Sequence, residues 1–401
     1  MTNRRSVPCL PTELLQCITD ELPNHDLPTV RLVCRSFEKA AFKRFVDENF
    51  TIRRCWIYDA TRWATFQEIL SSPCLGRKVR KVAFVARVMD AQAIEEIHTA
   101  PNENRDDIQV AQHGVVADLT WDMLASSQPP GSADILPVME RLAELKISIL
   151  VDLFQVWKVP SHCGSVERNL FAALCHTQNR LVHLAIDNGG IESLGEILTS
   201  HEAEMLTIAK GIEELVYEPC DGDYEGGTVR DHAIKVKRLI AGATHLRDFT
   251  LRMWGVMDDS DPANNLAHGL LLANQFSMLQ SLTLEYLWLE APALLQALGR
   301  CRAPLRGLRL FVVAVTKRHG NEWRQILQFL TTMPRLKYLV LTELRLTEDW
   351  LVEESLNFGR LARPDGDGIP TACFFVHQFI NEGIRMLLER GLVFEKSQYI
   401  L

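Results

Sequence analysis

One apolar phrase recurs along most of this chain, and it constrains the fold more than any other feature. The phrase carries apolar residues at its first, fourth and sixth positions, and it begins at Leu142, Leu181, Ile212, Leu246, Leu279, Leu305 and Leu336. Successive copies start 26 to 39 residues apart, and a similar phrase begins upstream at Val79. Alternating apolar positions predict a strand with one buried face, and the segments between the phrases have helical periodicity. Such units are not stable alone, so we expect them to stack into parallel strands with outer helices.

The last four copies continue the pattern with apolar residues at positions nine and eleven. These pairs are Trp254 and Val256, Leu287 and Leu289, Val313 and Val315, and Leu344 and Leu346. The alternate residues of each strand should then face outward on the concave side of the stack. That side is the candidate target-binding surface, and its predicted residues are Asp187, Glu218, Arg252, Glu285, Arg309 and Phe311.

The first fifty residues have a different pattern. Residues 10–22 carry a helical apolar stripe, and Pro23 ends it. Asp26 offers a capping oxygen to a second helix that begins at Leu27, and a third helix begins near Ser36. Helices this short are marginal in isolation, so we expect the three to pack together. The same stripe could be the core of an ordinary helical domain or a surface for a partner.

These residues also resemble a known family. Leu10-Pro11-x-Glu13-Leu14-Leu15-x-x-Ile18, then Asp26-Leu27, then Val33-Cys34-Arg35-x-Phe37, is similar to the F-box over residues 10–45. The resemblance implies docking on the Skp adaptor of cullin-RING ubiquitin ligases. The matching positions for that docking are Leu10, Pro11, Leu14, Leu15, Ile18 and Leu27. A small helix trio cannot cover all its leucines, which agrees with an exposed patch that needs a partner.

The recurring phrase resembles the leucine-rich repeat of divergent fungal F-box proteins. The resemblance implies an α/β fold: an N-terminal three-helix F-box followed by an irregular leucine-rich-repeat-like solenoid. The sequence departs from the family at repeat position nine, where Asn or Cys is usual and only Cys220 agrees. The arc is therefore expected to be irregular. An ordinary doubly wound α/β domain is the competing architecture.

The domain organisation follows from these patterns. We assign the F-box to residues 1–50, a linker helix and first repeat strand to 51–91, and the repeat array to 136–360. Residues 92–135 are rich in polar residues, Pro and Gly, and are predicted to be an exposed insertion. Residues 361–401 are predicted to be a C-terminal cap that includes a helix from Phe375 to Arg390.

Composition limits the possible functions. Forty-three Lys and Arg against 51 Asp and Glu give a net charge of −8, which disfavours a whole-chain nucleic-acid binder, although a local basic patch remains possible. Ten cysteines without close pairs are typical of the cytoplasm or nucleus, and no apolar run is long enough to span a membrane. Nucleophile-elbow, phosphate-loop, dinucleotide and zinc-protease motifs are all absent from the sequence. We therefore expect no catalytic residues, cofactor or metal.

The sequence as a whole favours a non-catalytic substrate receptor. Its expected partners are the Skp adaptor, a cullin reached through that adaptor, and an unidentified target protein held by the repeat arc. The expectation includes no nucleic acid or membrane partner. Two alternatives remain: a scaffold or regulatory binding protein whose helical module recruits no ligase, and an enzyme with a pocket of converging titratable groups.

Overall fold

The structure is a computed structural model in which most of the chain is described. The described residues are 10–58, 60–85, 131–153, 163–218, 227–253, 262–273, 275–349, 352–356, 363–364, 370–375, 377–390 and 394–396. The predicted insertion at 92–135 falls outside them up to residue 130. A helix begins at Ser132, just before the predicted end of the insertion.

The chain begins with a small helical module. It contains α1 (Thr12–Glu21), a 3-10 turn (Asn24–Asp26), α2 (Leu27–Arg31) and α3 (Arg35–Phe50). Pro11 precedes the first turn of α1, and its carbonyl accepts the backbone N–H groups of Leu14 and Leu15. The buried side chains of the module are Leu15, Thr19, Leu27, Ala40, Ala41 and Val46. The three predicted helices are therefore present and share a small core.

Parallel strands alternate with helices through the rest of the array. The strands are β1 (Ile52–Trp56), β2 (Lys81–Val85), β3 (Ser148–Leu153), β4 (Leu181–Asp187), β5 (Glu214–Glu218), β6 (Asp248–Arg252), β7 (Ser281–Leu289), β8 (Gly307–Thr316) and β9 (Tyr338–Thr342). The helices are α4 (Ala60–Ser71), α5 (Ser132–Glu144), α6 (Cys163–Thr177), α7 (Asn188–Ser200), α8 (Glu202–Ala209), α9 (Gly227–Gly242), α10 (Pro262–Leu271), α11 (Ala291–Arg300) and α12 (Glu322–Thr331).

All these strands lie in one sheet and follow chain order. Each strand from β1 to β9 pairs in parallel with the next one along the chain. A doubly wound sheet would reverse direction at a switch point, and this order never reverses. The arrangement is a solenoid-like α/β stack, as the recurring phrase predicts, and the competing doubly wound architecture is wrong.

The fourth and sixth residues of the phrase form the core. Leu282 and Leu284 of β7 pair in register with Phe249 and Leu251 of β6, and all four are buried. The same two positions are buried in the other strands that the phrase predicts, and one continuous apolar core extends from Cys55 to Leu387. Burying the leucines between sheet and helices is what holds neighbouring units together.

Two strand assignments differ from the sequence prediction. The phrase that starts at Leu142 lies in α5 and the loop after it, while β3 buries Ile149, Val151 and Leu153 instead. Leu142 and Leu145 lie three residues apart at the end of α5, and this spacing matches the first and fourth positions of the phrase although the segment is not a strand. The sequence also missed β1, because Arg53 occupies the position that pairs with Val82 of β2.

Positive backbone φ angles explain the offset of positions nine and eleven. Tyr286, Val312 and Glu343 have φ of 56°, 49° and 48°. Tyr286 and Val312 occupy matching places in β7 and β8, and Glu343 occupies the equivalent place directly after β9. One left-handed residue in a strand shifts the alternation, as in a β-bulge, so that the next buried residue comes three positions later. Leu287 and Val313 are therefore buried together with the phrase. Trp254 and Val256 lie outside the described residues.

The C-terminal segment changes the strand direction. It contains β10 (Arg345–Asp349), β11 (Val352–Leu356), β12 (Arg363–Pro364), β13 (Pro370–Phe375), α13 (His377–Arg390) and β14 (Phe394–Lys396). β10 pairs in parallel with β8, whereas β11, β13 and β14 pair with their neighbours in the antiparallel direction. Ile380 and Ile384 of α13 are buried in the shared core, and the helix packs on α12 and β9.

Candidate docking surfaces

Polar contacts hold the three N-terminal helices in a fixed arrangement. Arg44 of α3 donates from one guanidinium nitrogen to the Thr19 carbonyl and from the other to Asn24 Oδ1 at 2.9 Å. Asn24 donates in turn to Glu48 Oε2 at 3.1 Å. The guanidinium of Arg31 lies 3.8 Å from the centre of the Phe45 ring. These contacts tie both short helices to the long one, so the exposed residues of α1 are held in place.

Three apolar side chains of this module point away from its core. Leu10, Leu14 and Ile18 are 46%, 51% and 42% exposed. Leu14 and Ile18 lie four residues apart on one side of α1, and Leu10 lies just before its first turn. Leu15, which follows Leu14 in the sequence, faces the core of the module and is only 4% exposed. A stripe of large apolar residues that the module leaves in solvent is typical of a protein interface.

The predicted adaptor residues divide into two groups. Leu10, Pro11, Leu14 and Ile18 are exposed, whereas Leu15 and Leu27 are 4% and 0% exposed and lie inside the module.

The sequence prediction also omitted two strongly exposed apolar residues. Leu32 and Val33, in the turn between α2 and α3, are 86% and 66% exposed. Their position in a break between helices was visible in the sequence, but their exposure depends on the packing of α2.

A second candidate surface is the face of the sheet opposite the helices, which we call the open face. The strand register places Asp187 beside Glu218, Arg252 beside Glu285, and Glu285 beside Phe311. Arg309 precedes Phe311 by two residues and therefore lies on the same face. The predicted target-binding residues thus lie on adjacent strands. The side chain of Asp187 is outside the described part of the structure.

Four of these side chains form a chain of ion pairs. Arg252 Nη1 lies 2.7 Å from Glu218 Oε2, and Arg252 Nε lies 2.5 Å from Glu285 Oε2. Arg309 Nε approaches Glu285 Oε1 at 3.6 Å. Burial acts against the charged form of Arg252, but the two carboxylates outweigh it and raise the pKa of its guanidinium. Glu285 is 5% exposed, so this carboxylate depends on the two arginines for its solvation.

Aromatic residues flank the ion pairs. The Phe311 and Tyr286 rings meet edge to face with centroids 5.2 Å apart, and the Arg309 guanidinium lies 5.6 Å from the Phe311 ring centre. Phe311 is half-buried and Arg309 is exposed. A fixed aromatic side chain beside an exposed arginine is the residue combination that protein interfaces favour.

Acidic residues dominate the neighbouring part of the open face. His183 Nδ1 lies 2.9 Å from Glu214 Oε2, and Glu214 is adjacent to Asp248 in the strand register. Burial and the nearby Glu214 charge raise the pKa of Asp248.

Neither a metal centre nor a membrane anchor emerges from the described residues. Within them, no three His, Cys, Asp or Glu side chains are grouped closely enough to hold a metal ion. The helices in those same ranges all lack the combination of length and apolar character that crossing a bilayer requires.

The geometry defines a protein with a small N-terminal helical module, which leaves an apolar stripe exposed, followed by a solenoid-like stack of parallel strands and helices. Comparison with family models identifies the module: residues 7–53 match the F-box-like family. The chain therefore carries an F-box-like domain over residues 7–53, and a domain of this kind binds a Skp-type adaptor in general. F-box proteins are generally non-catalytic adaptor subunits. Comparison with curated proteins gives no match to this chain.

Proposed function

We propose that this protein is the substrate-recognition subunit of a cullin-RING (SCF-type) ubiquitin ligase. Its F-box-like domain would bind the Skp adaptor, and through it a cullin, while the open face would hold a target protein. The chain would contribute no catalytic residue. Its contribution would be to hold the target close to the transferring enzyme, which raises the effective concentration of the target. The observation that carries the proposal is the exposed stripe of α1 within a domain that matches the F-box-like family.

The energetics favour a docking surface larger than the stripe alone. A fully buried Leu or Ile contributes about 1.5–3 kcal/mol, so covering three half-exposed side chains supplies only about 2–4 kcal/mol. Association itself costs at least that much. We therefore propose that Leu32 and Val33 join Leu10, Pro11, Leu14 and Ile18 in contacting the adaptor, and that Leu15 and Leu27 support the surface from inside.

Charge substitutions on α1 test the adaptor surface. Leu14→Glu combined with Ile18→Glu should weaken adaptor binding at least a hundredfold in titration calorimetry, because two carboxylates would lose water in an apolar interface. Gln16→Glu is the matched control, since Gln16 is exposed on the same helix but lies off the stripe. It should bind as the wild type does.

Two results would overturn this surface. One is undiminished binding of the stripe variant while circular dichroism reports an intact fold. The other is an equal loss of affinity in the Gln16→Glu control. A wild-type chain that does not bind the adaptor at all would instead favour the scaffold alternative, in which the module recruits no ligase.

Target capture by the open face has a separate test. Arg309→Gln with Phe311→Ala should leave adaptor recovery unchanged and remove bound proteins from tagged chain purified after proteasome inhibition. Both residues retain exposed surface, so the fold should tolerate the changes. Arg324→Gln on the exposed side of α12 is the control for the lost positive charge. Quantitative mass spectrometry that gives the same bound proteins for all three chains would refute the assignment.

The proposed site of action is the cytoplasm, the nucleus or both. Five cysteines support this compartment because they are free thiols, on the surface at Cys17, Cys34 and Cys74 and in the core at Cys175 and Cys301. Burial raises the pKa of the Cys175 and Cys301 thiols to about 12, so these two remain protonated structural residues.

A further inference from the structure

The loops that lead into the strands have an unusual charge. Eight such loops connect a helix to the strand that follows it, at residues 72–80, 145–147, 178–180, 210–213, 243–247, 272–280, 301–306 and 332–337. Together they contain eleven Lys and Arg and a single acidic residue, Glu213. Their net charge is +10 in a chain whose total is −8. We call this group of loops the basic band.

The loops of the basic band are stacked directly on one another. Gln280 N donates to the Arg247 carbonyl at 2.6 Å, Arg306 N donates to the Gln280 carbonyl at 2.7 Å, and Lys337 N donates to the Arg306 carbonyl at 2.7 Å. The band therefore follows one edge of the sheet from β2 to β9. Seven steps between neighbouring strands at about 4.8 Å each give it a length of about 34 Å.

Few of the Lys and Arg side chains in the band form an ion pair or a hydrogen bond within the described part of the structure. Arg180 and Arg247 share Glu213, at 2.7 and 3.4 Å, and Arg302 donates to the Thr332 carbonyl. Arg306, Arg335 and Lys337 lie at one end of the band and are all exposed. Within the described ranges, none of these three side chains takes part in an ion pair. The same holds for a second group at the other end, where no described carboxylate is within ion-pair distance of Arg77, Lys78, Arg80 and Lys146.

Helix dipoles do not explain the excess of positive charge. Eight helices end at this edge, and each helix C-terminus carries roughly half a negative charge, which favours nearby cations. Their sum is about −4, less than half the charge of the band. Arg302 is bound to the end of α12 in this way. The exposed cations beyond that number are available to an anionic partner.

The amino-acid composition of the band indicates which kind of polyanion it can bind. Proteins that bind single-stranded nucleic acid combine basic grooves with aromatic side chains on which bases stack. The only aromatic residue in these loops is Phe276, which is 2% exposed and packs on Phe249. The cations are distributed along an edge instead of converging on one point, which suits a row of carboxylates better than a single phosphate.

We propose that the basic band is a docking surface for an extended, Asp- and Glu-rich segment of a partner protein. At about 3.3 Å per residue, a segment of about ten residues spans the band. The surface is distinct from both the apolar stripe of α1 and the open face, so the proposal holds whether or not the chain recruits a ligase.

A labelled peptide tests the proposal on the full chain. The probe is a fluorescein-labelled decapeptide in which glutamate alternates with serine, followed by fluorescence anisotropy in about 0.05 M salt. The chain should bind it, and about 0.5 M salt should weaken binding strongly, because screening shortens the range of exposed charges. Arg306→Glu with Lys337→Glu should weaken binding tenfold or more. Lys237→Glu with Arg324→Glu, the same charge change on the exposed helical side, should not.

Comparison peptides decide between sources of negative charge. Substituting glutamine for glutamate in the decapeptide should abolish binding. The proposal is overturned if the glutamate peptide does not bind, or if the helical-side control loses as much affinity as the band variant. It is also overturned if a phosphoserine peptide or a ten-nucleotide oligothymidylate binds and the glutamate peptide does not. Adaptor affinity measured on the same samples should be unchanged, which separates failure here from failure of the proposed function.

Discussion

Glu285 is the charged residue on which the open face depends most. Its carboxylate lies between Arg252 and Arg309 and is almost fully buried. A buried carboxylate loses its hydration, so it is stable only while cations and hydrogen-bond donors replace the lost water. The same contacts hold Arg252 against Glu218 and so fix the shape of the proposed target surface.

Glu285→Gln tests this role. The amide keeps the shape of the side chain but removes its charge, so Arg252 retains only Glu218 as a charged partner. We expect a loss of about 1–3 kcal/mol in the free energy of unfolding, measured by urea denaturation. Arg309→Gln, which removes the exposed partner at 3.6 Å, should cost less than about 1 kcal/mol. Equal costs for the two variants would contradict the central position of Glu285.

At the scale of single elements, the phrase predicted the strands well where apolar residues occupy the buried positions. It failed at β1, where Arg53 replaces an apolar residue. There the guanidinium lies 5.2 Å from the Phe50 ring and donates to the Asn49 carbonyl, and burial lowers its pKa. Such a substitution works because of contacts with α3 that no local pattern records. The left-handed residues Tyr286, Val312 and Glu343 were equally hidden, since none is a glycine.

The start of α11 depends on the protonation state of a histidine. Neutral His268 Nε2 accepts the backbone N–H of Glu290 at 2.9 Å, at the residue before the helix. Burial lowers the pKa of His268 below its usual 6.5, and the nearby Glu290 carboxylate opposes this only partly. A lowered pKa in the folded state means that the unfolded chain binds the proton more readily. The stabilising contribution is therefore complete above about pH 6.5 and is lost as the pH falls through the folded pKa.

Thermal unfolding at several pH values tests this contact. Between pH 7.5 and pH 5.5 the wild type should lose more of its Tm than His268→Gln, because the glutamine oxygen can accept the same hydrogen bond without titrating. Parallel Tm curves for the two chains would show that His268 does not control the start of α11.

At the scale of the whole molecule, two apolar cores are joined with almost no linker. The continuous core of the array begins at Cys55 and does not include the buried residues of the F-box-like domain. Between α3 and β1 lies only Thr51, whose carbonyl accepts the backbone N–H groups of Arg80 and Lys81. The first strand is therefore anchored directly at the end of α3. A fixed join of this kind would hold a target at a constant orientation to the adaptor.

Separate cores predict separate consequences of mutation. Leu282→Asp places a carboxyl group in the array core and should cost more than about 4 kcal/mol, seen as a loss of cooperative urea unfolding. Thr283→Asp, one residue along on the open face, should cost less than about 1 kcal/mol. Adaptor affinity should survive in both variants. Its loss in Leu282→Asp would mean that the helical module cannot fold without the array.

The sequence predicted the candidate surfaces unequally. Spacing alone identified Leu10, Leu14 and Ile18 as one helical side, but it could not distinguish them from Leu15, because exposure depends on how α2 and α3 pack on α1. For the open face, alternation named the right strand positions, yet the ion pairs of Arg252 needed the register between strands. The basic band could not be predicted from the sequence, because its residues are far apart along the chain and come together only where the loops stack.

The most direct test of the account is assembly of the full chain with a purified Skp-type adaptor. Size-exclusion chromatography with light scattering should give a one-to-one complex for the wild type, and two separate species for the variant carrying Leu14→Glu and Ile18→Glu. Separate elution of the wild-type chain and the adaptor at micromolar concentration would contradict the proposal that the uncovered side of α1 is a docking surface.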